Sequence, residues 1–353
     1  MRYKLFSTVS LLTVCVCCLG FFSGWVKKED PIAHEDIRRS AARGLKLLEQ
    51  SGYTFINRTH FHCASCHHAT LTCLAVDEAL RKGVPVIDSL AEQRAMAMRD
   101  NLKFAWDPNK LNDFVTAKFI GPYTMLGMYA ARIPPDMTTD IAVDYMLGQQ
   151  RPDGSFQTEN FRVPLEAGEI HLASMSIRAI QLYASPGKRV QVEAAVARTR
   201  QWLEQASPGA DQQQEVVFQL LGLHWMNGDA AGKGKVAERL RSFQNQDGGW
   251  SQLPSMKSDA YATGQALYAL LETGTNRPED EVCQKAIRYL LKTQDPSGAW
   301  IVETRSNPIQ PFFSSDFPPY DENQYISATA SNWSVMALLD ALPDKAGQAV
   351  PVK

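Results

Sequence analysis

From residue 34 to residue 342, apolar positions recur three and four apart over successive stretches, and no period-two run is long enough to argue for a strand. The stretches alternate in character. One set is the more polar: 34–51, 88–105, 137–150, 189–205, 234–246 and 279–294. The other is richer in small and apolar residues: 66–82, 114–131, 169–184, 213–227, 259–273 and 326–342. The pattern predicts six helix pairs that repeat at roughly 45 to 55 residues, the signature of a stacked repeat architecture. A single pair cannot bury its apolar face alone, so neighbouring pairs must stack.

The units share a local sequence. The end of the first helix carries an aromatic–aliphatic pair, then Gln, then a Gly-x-aromatic turn. It reads Tyr289-Leu290, Gln294 and Gly298-Ala299-Trp300 in the sixth unit. In the fifth it is Phe243, Gln246 and Gly248-Gly249-Trp250, and in the third Tyr145-Met146, Gln150 and Gly154-Ser155-Phe156. The first, second and fourth units are degenerate, the fourth keeping Trp202-Leu203 and Gln205. Gly ends the helix in a left-handed turn. The aromatic ring fills the gap between pairs, and Gln satisfies helix-end groups. These residues read as structural.

This signature resembles the repeats of squalene–hopene cyclases and protein prenyltransferase β-subunits, over residues 34–342 and most specifically in units five and six. The resemblance implies an all-α fold, an (α/α)6 toroid occupying 34–345. In it the second helices form an inner ring around an apolar cavity and the first helices an outer ring. All loops from outer to inner helices then share one rim, at the inner-helix N-termini, and these are the long and unusual loops here. The return loops, such as Thr273-Gly274 and Asn227-Gly228, are short.

The chemistry of those families does not transfer directly. The cyclases protonate an alkene with an Asp-x-Asp-Asp motif, which this chain lacks; Asp316 and Asp321 do not have that spacing. The prenyltransferases bind zinc through Asp, Cys and His. Asp259-Ala260-Tyr261-Ala262-Thr263 resembles their Asp-x-Tyr-His-Thr, but Ala262 stands at the His position and no Asp-x-Cys element occurs. Asp259 by itself reads as a helix N-cap.

Charge and composition narrow the partners. The chain has 353 residues, with 36 Lys+Arg against 38 Asp+Glu, and is 44% hydrophobic. That excludes a disordered segment and a nucleic-acid binder driven by bulk charge. Leu5 to Trp25 is uncharged and follows Arg2 and Lys4. Residues 1–28 therefore read as a signal peptide or N-terminal anchor. The expected location is the periplasm or the periplasmic face of the inner membrane, with membrane contact only through this segment.

Cys63-Ala64-Ser65-Cys66-His67 matches the c-type haem pattern Cys-x-x-Cys-His. One helical turn puts both thiols on one face for two thioethers, with His67 next to the iron. The motif also resembles a set of bacterial exported proteins that combine these repeats with Cys-x-Ser-Cys-His-His in the first unit. His171, at the start of the third inner helix, is the candidate second ligand, with Met175 one turn on. His224 lies near the far end of its helix and is set aside. A metal site could instead draw on Cys63 and Cys66 with His60, His62, His67 or His68. A redox dithiol or a structural disulfide is also consistent with the spacing. Cys73 reads as core.

The connection 301–325 interleaves Pro308, Pro311, Pro318 and Pro319 with Phe312, Phe313, Phe317 and Tyr320. A loop of this length is uncommon inside a compact domain. It is expected to cap the cavity mouth or a haem edge, with Arg305 and Tyr325 facing propionates or substrate. The leading expectation is an exported toroid with a covalent c-type haem on the inner-helix rim and no nucleotide cofactor. It would serve electron transfer with a redox partner, or haem chemistry on an apolar, terpenoid-like ligand. One alternative is a terpenoid cyclase or prenyltransferase-like enzyme with a divergent acid, which predicts a deep aromatic cavity with an Asp or Glu at its centre. Another is a non-catalytic binding or scaffold protein with a Cys63–Cys66 disulfide.

Overall fold

The computed structural model describes residues 32–59, 64–105, 117–158, 160, 162–209, 211–306 and 315–345. The apolar run Leu5–Trp25 lies outside the described residues, and no described helix is long and apolar enough to cross a membrane.

Among the described residues there are twelve α-helices and no strands, only three isolated bridges such as Trp250 with Asp259. They are α1 (His34–Arg58), α2 (Leu71–Lys82), α3 (Ala91–Ala105), α4 (Ala117–Ala130), α5 (Met137–Gln149) and α6 (Glu169–Tyr183). Then follow α7 (Arg189–Gln205), α8 (Gln213–Trp225), α9 (Ala230–Ser242), α10 (Ala260–Glu272), α11 (Glu281–Thr293) and α12 (Gln324–Asp340). A π-helical turn, Ser65–Thr70, leads into α2.

The even-numbered helices form a closed inner ring. Each packs on the even helix before and after it, and α12 returns to α2. The odd-numbered helices lie outside, and α1 meets α11 and α12 to complete the outer ring. Burial follows from sequence. α11 buries one stripe, Cys283, Ala286, Ile287 and Leu290, the spacing of a helix with solvent on its other side. α12 is buried along almost its whole length, as a helix surrounded by others must be. Small residues let inner helices approach closely: a Cβ at Gly264 would stand 2.8 Å from Ser334 N on α12.

The repeated signature ties each unit to the next. Gln150 Nε2 donates to Ala195 O at 2.8 Å and to Thr199 Oγ1 at 2.8 Å, both on α7. Gln294 Nε2 donates to Ser40 O at 2.9 Å on α1, which closes the ring from last unit to first. In the fifth unit this role falls to Gln244, which reaches Val282 O at 2.8 Å, rather than to Gln246. Gln244 stands four residues before Gly248, as Gln294 does before Gly298. Gly298 has φ +98°, and a Cβ there would meet Arg43 O on α1 at 2.9 Å. Trp250 and Trp300 are fully buried, their indole N–H groups donating to Leu240 O and Leu290 O at 2.8 Å.

The largest departures from the pattern-based boundaries are in α1, expected over 34–51, and α9, expected over 234–246. α1 continues past residue 51 to Arg58. Gly52 does not end the helix; it lets α1 lie against the backbone of His68, 3.4 Å from where its Cβ would be. α9 begins at Ala230 because Asp229 caps it, accepting from Gly232 N at 2.7 Å. The cap outweighs the low helix propensity of Gly232 and Gly234.

Candidate functional site

The inner-helix N-termini gather polar side chains. His171, in the first turn of α6, has Nε2 2.8 Å from Tyr123 Oη on α4. Its Nδ1 lies 3.0 Å from Ala167 O and 3.1 Å from Gln214 Nε2 on α8. Gln214 Oε1 accepts from Tyr261 Oη on α10 at 2.5 Å. Four inner helices are thus joined by one buried chain. Glu215 accepts from Ile170 N at 2.9 Å and His171 N at 3.2 Å, so α8 supplies the cap that α6 lacks in its own sequence. Burial raises its carboxyl to about 7 against the pull of those two amides.

Asp259 caps α10, accepting from Ala262 N at 2.9 Å, as its sequence position implies. Its other oxygen accepts from Gln252 Nε2 at 3.0 Å, and Gln252 Oε1 accepts from Arg305 Nε at 2.9 Å. Burial outweighs these hydrogen bonds and raises the Asp259 carboxyl above its usual range. Arg305 and Asp259, singled out separately in the sequence, therefore meet on one rim.

From this rim an aromatic column descends the axis. His171 stacks on Phe218 with centroids 3.9 Å apart; Phe218 meets Trp333 edge-on at 6.0 Å; Trp333 meets Tyr268 at 5.5 Å. Below the column lies a cavity of about 120 Å³ that opens to solvent, to which all six inner helices contribute. Its walls are apolar and aromatic, among them Leu126, Met175, Trp225, Tyr268, Trp333 and Met336. Its mouth is charged, with Asp77, Glu78, Arg81, Arg132, Arg178 and Glu272. The mouth opens at the C-terminal ends of the inner helices, opposite the rim on which the sequence reading placed the chemistry. Burial, with Glu272 nearby, pushes the Tyr268 phenol well above its ordinary range. The described parts of 301–325 lie at the N-terminal rim: Ser51 Oγ donates to Ser315 O at 2.9 Å and Arg58 pairs with Asp316 at 2.6 Å. They do not cap this mouth. Pro308, Pro311, Phe312 and Phe313 fall outside the described residues.

The haem expectation is corrected. His171, its candidate second ligand, is fully buried, engaged at both ring nitrogens and packed between Phe119 and Phe218, so it offers no nitrogen to an iron. His68 holds Ser315 Oγ at 2.9 Å through Nε2 and stacks on Phe55, with Tyr325 against its edge. Tyr325 packs edge-on against the rings of His68 and Phe55. No group of three His, Cys, Asp or Glu side chains gathers among the described residues as a metal site would need. Cys63, His60 and His62, and the side chains of Cys66 and His67, lie outside them. Cys73 and Cys283 are buried thiols that burial pushes up to about 11 and about 12, consistent with packing.

Tyr123, Gln214, Glu215 and Arg178 escaped the sequence reading. The signal was present as polar residues on the inward row of apolar helices, such as His171, Met175, Arg178 and Leu182 on α6, spaced four, three and four.

No family model matches the chain. A drimenyl diphosphate synthase from Streptomyces showdoensis is 28% identical over 184 residues, 48% of this chain and 32% of the relative. Another from Streptantibioticus cattleyicolor is 27% identical over 259 residues, 64% of this chain and 42% of the relative. The chain thus spans less than half the length of these relatives. Among solved structures, a point variant of the type II terpene cyclase MstE from Scytonema superposes with a TM-score of 0.56 at 13% identity, over 87% of this chain and 97% of that one. It was solved with geranylgeranyl dihydroxybenzoate as substrate, and another variant with merosterolic acid A as product. An unsaturated glucuronyl hydrolase from Bacillus sp. GL1 superposes with a TM-score of 0.54 at 13% identity, over 86% and 96%. The sequence relatives are named for terpenoid rather than haem chemistry, which completes the correction. The chain has an all-helical, α/α-toroid fold of the terpene-cyclase-like kind.

Proposed function

We propose that the protein is an isoprenoid cyclase-type enzyme that folds an alkene-bearing apolar chain inside its toroid and starts ring closure with a proton. The observation that carries this reading is the central cavity, walled by apolar and aromatic side chains from all six inner helices. The fold alone would equally suit a sugar, as the glucuronyl hydrolase illustrates. Walls of Leu126, Met175, Trp333 and Met336 favour a hydrocarbon chain, and the drimenyl diphosphate synthases among the sequence relatives point the same way.

In the proposed reaction a proton adds to one alkene carbon. The electron pair of the next alkene closes a C–C bond onto the resulting cation, and a proton leaves the last cation, so substrate and product are isomers. Aromatic faces such as Trp333 and Tyr268 stabilise positive charge as it develops. The acid has to touch the chain, and the carboxyls that line the cavity are Asp77, Glu78 and Glu272. Asp259 lies on the opposite rim, with its two oxygens taken by Ala262 N and Gln252 Nε2.

The test is to incubate the full chain with farnesyl diphosphate, geranylgeranyl diphosphate and geranylgeraniol and to analyse the extracted products by gas chromatography and mass spectrometry. A cyclic isomer is expected. Asp77→Asn, Glu78→Gln and Glu272→Gln each remove one cavity carboxyl, and one of them should lower product formation by about 10²-fold or more with the fold intact. Recovery of only acyclic compounds would refute the cyclase reading. Undiminished product from all three would refute a cavity carboxyl as the acid.

A further inference from the structure

We propose that the cavity mouth is a head-group site, at which Arg178 takes the anionic end of an amphiphile whose apolar chain fills the cavity. This rests on the reading of the cavity as an apolar-ligand site and adds the chemistry and direction of the ligand.

Three arginines line the mouth, and they are not equivalent. Arg81 pairs with Glu78 on its own helix, and Arg132 pairs with Asp77 at 2.7 Å. Arg178 makes no hydrogen bond or ion pair with any described residue. It reaches from the middle of α6, half-buried, and its guanidinium lies 5.9 Å from the centre of the Trp225 ring. Glu272, Tyr129 and Tyr268 are the groups that face it electrostatically. Burial lowers the Arg178 pKa, the sign of a cation held away from water without full compensation.

A guanidinium carries five N–H donors in a rigid fork that matches the oxygens of a carboxylate or a phosphate. Leaving that fork partly desolvated is costly, and an anion arriving from solvent removes the cost. The apolar part of the ligand then has one direction to go. Met175 lies three residues before Arg178 on the same row, Leu126 and Met336 wall the cavity at its level, and Trp333, seven residues from the end of α12, lies deeper. The site therefore selects a hydrocarbon chain ending in an anion, with the head at the C-terminal rim and the tail toward the aromatic column. Prenyl phosphates and fatty acids share this chemistry.

The test is equilibrium binding to the purified full chain, read by quenching of Trp225 and Trp333 fluorescence, with farnesyl diphosphate, palmitate and farnesol as probes. At least one anionic probe should bind about tenfold or more tighter than farnesol, the factor one charge-assisted hydrogen bond supplies. Tighter binding of farnesyl diphosphate identifies a phosphate head, and tighter binding of palmitate a carboxylate. Arg178→Gln should erase the preference while leaving farnesol binding within about twofold, and Arg178→Lys should keep part of it. If farnesol binds as well as both anions, or if the preference survives Arg178→Gln, the head-group site is refuted and the cavity reading stands. If no probe binds, both fall.

Discussion

The two ends of the inner ring are built from similar residue types but put them to opposite uses. At the N-terminal rim, Tyr123, His171, Gln214 and Tyr261 bond to one another, and Glu215 is bound by two backbone N–H groups. Helix N-termini present unpaired N–H donors, so carboxylates and amides there are drawn into capping and bridging. At the C-terminal end the polar side chains ring an open cavity, and one of them, Arg178, is left without a hydrogen bond or ion pair among the described residues. The rim with the denser polar cluster is thus the more committed to holding the ring together. The other end is where the cavity opens, beside a guanidinium that makes no hydrogen bond or ion pair with a described residue.

Breaking the ring should abolish the contrast altogether and gives the largest effect. Trp300 fills the joint between the last unit and the first and donates to Leu290 O. Trp300→Ala should cost about 3–5 kcal/mol in urea unfolding and weaken binding at the cavity as well. A smaller effect separates the two ends by pH. The Glu215 carboxyl rises from 4.5 to about 7 in the folded chain. Between those values the folded state holds a proton that the unfolded state has released, so stability from this group falls as pH climbs through that window. The fall is up to about 3 kcal/mol. Glu215→Gln cannot titrate, so it should gain stability relative to the parent as pH rises from 4.5 to 7 in urea titrations. The smallest effect tests the independence of the ends. Tyr123→Phe removes one buried hydrogen bond to His171 and should cost about 1 kcal/mol in the same measurement, with cavity binding unchanged.

The ring was legible in the sequence because its parts repeat. Gln150 and Gln294, each four residues before a turn glycine, announce the same joint, and the alternation of polar and apolar helices announces two layers. The site was less legible. Cys63-Ala64-Ser65-Cys66-His67 drew attention as a contiguous motif, whereas the cavity is assembled from single residues on six helices that only ring closure brings together. Arg178 is the one charge within the interior of α6, and that much could be read. That its neighbour Asp77 is taken by Arg132 could not, since that pairing depends on how α2 and α4 pack, whereas Glu78 and Arg81 stand three apart on one helix. Glu215 was hidden for the same reason: its partners are 44 and 45 residues away, at the head of another helix.

The most direct measurement is photo-crosslinking of the full chain with a diazirine-bearing farnesyl analogue, with labelled positions mapped by mass spectrometry. Labels confined to the cavity wall, at positions such as Leu126, Met175 and Met336, and competed by unlabelled farnesyl compounds, are the predicted result. Labels scattered over the outer helices, or cavity-wall labels that competitor does not reduce, would contradict an apolar-ligand site at the centre of the toroid.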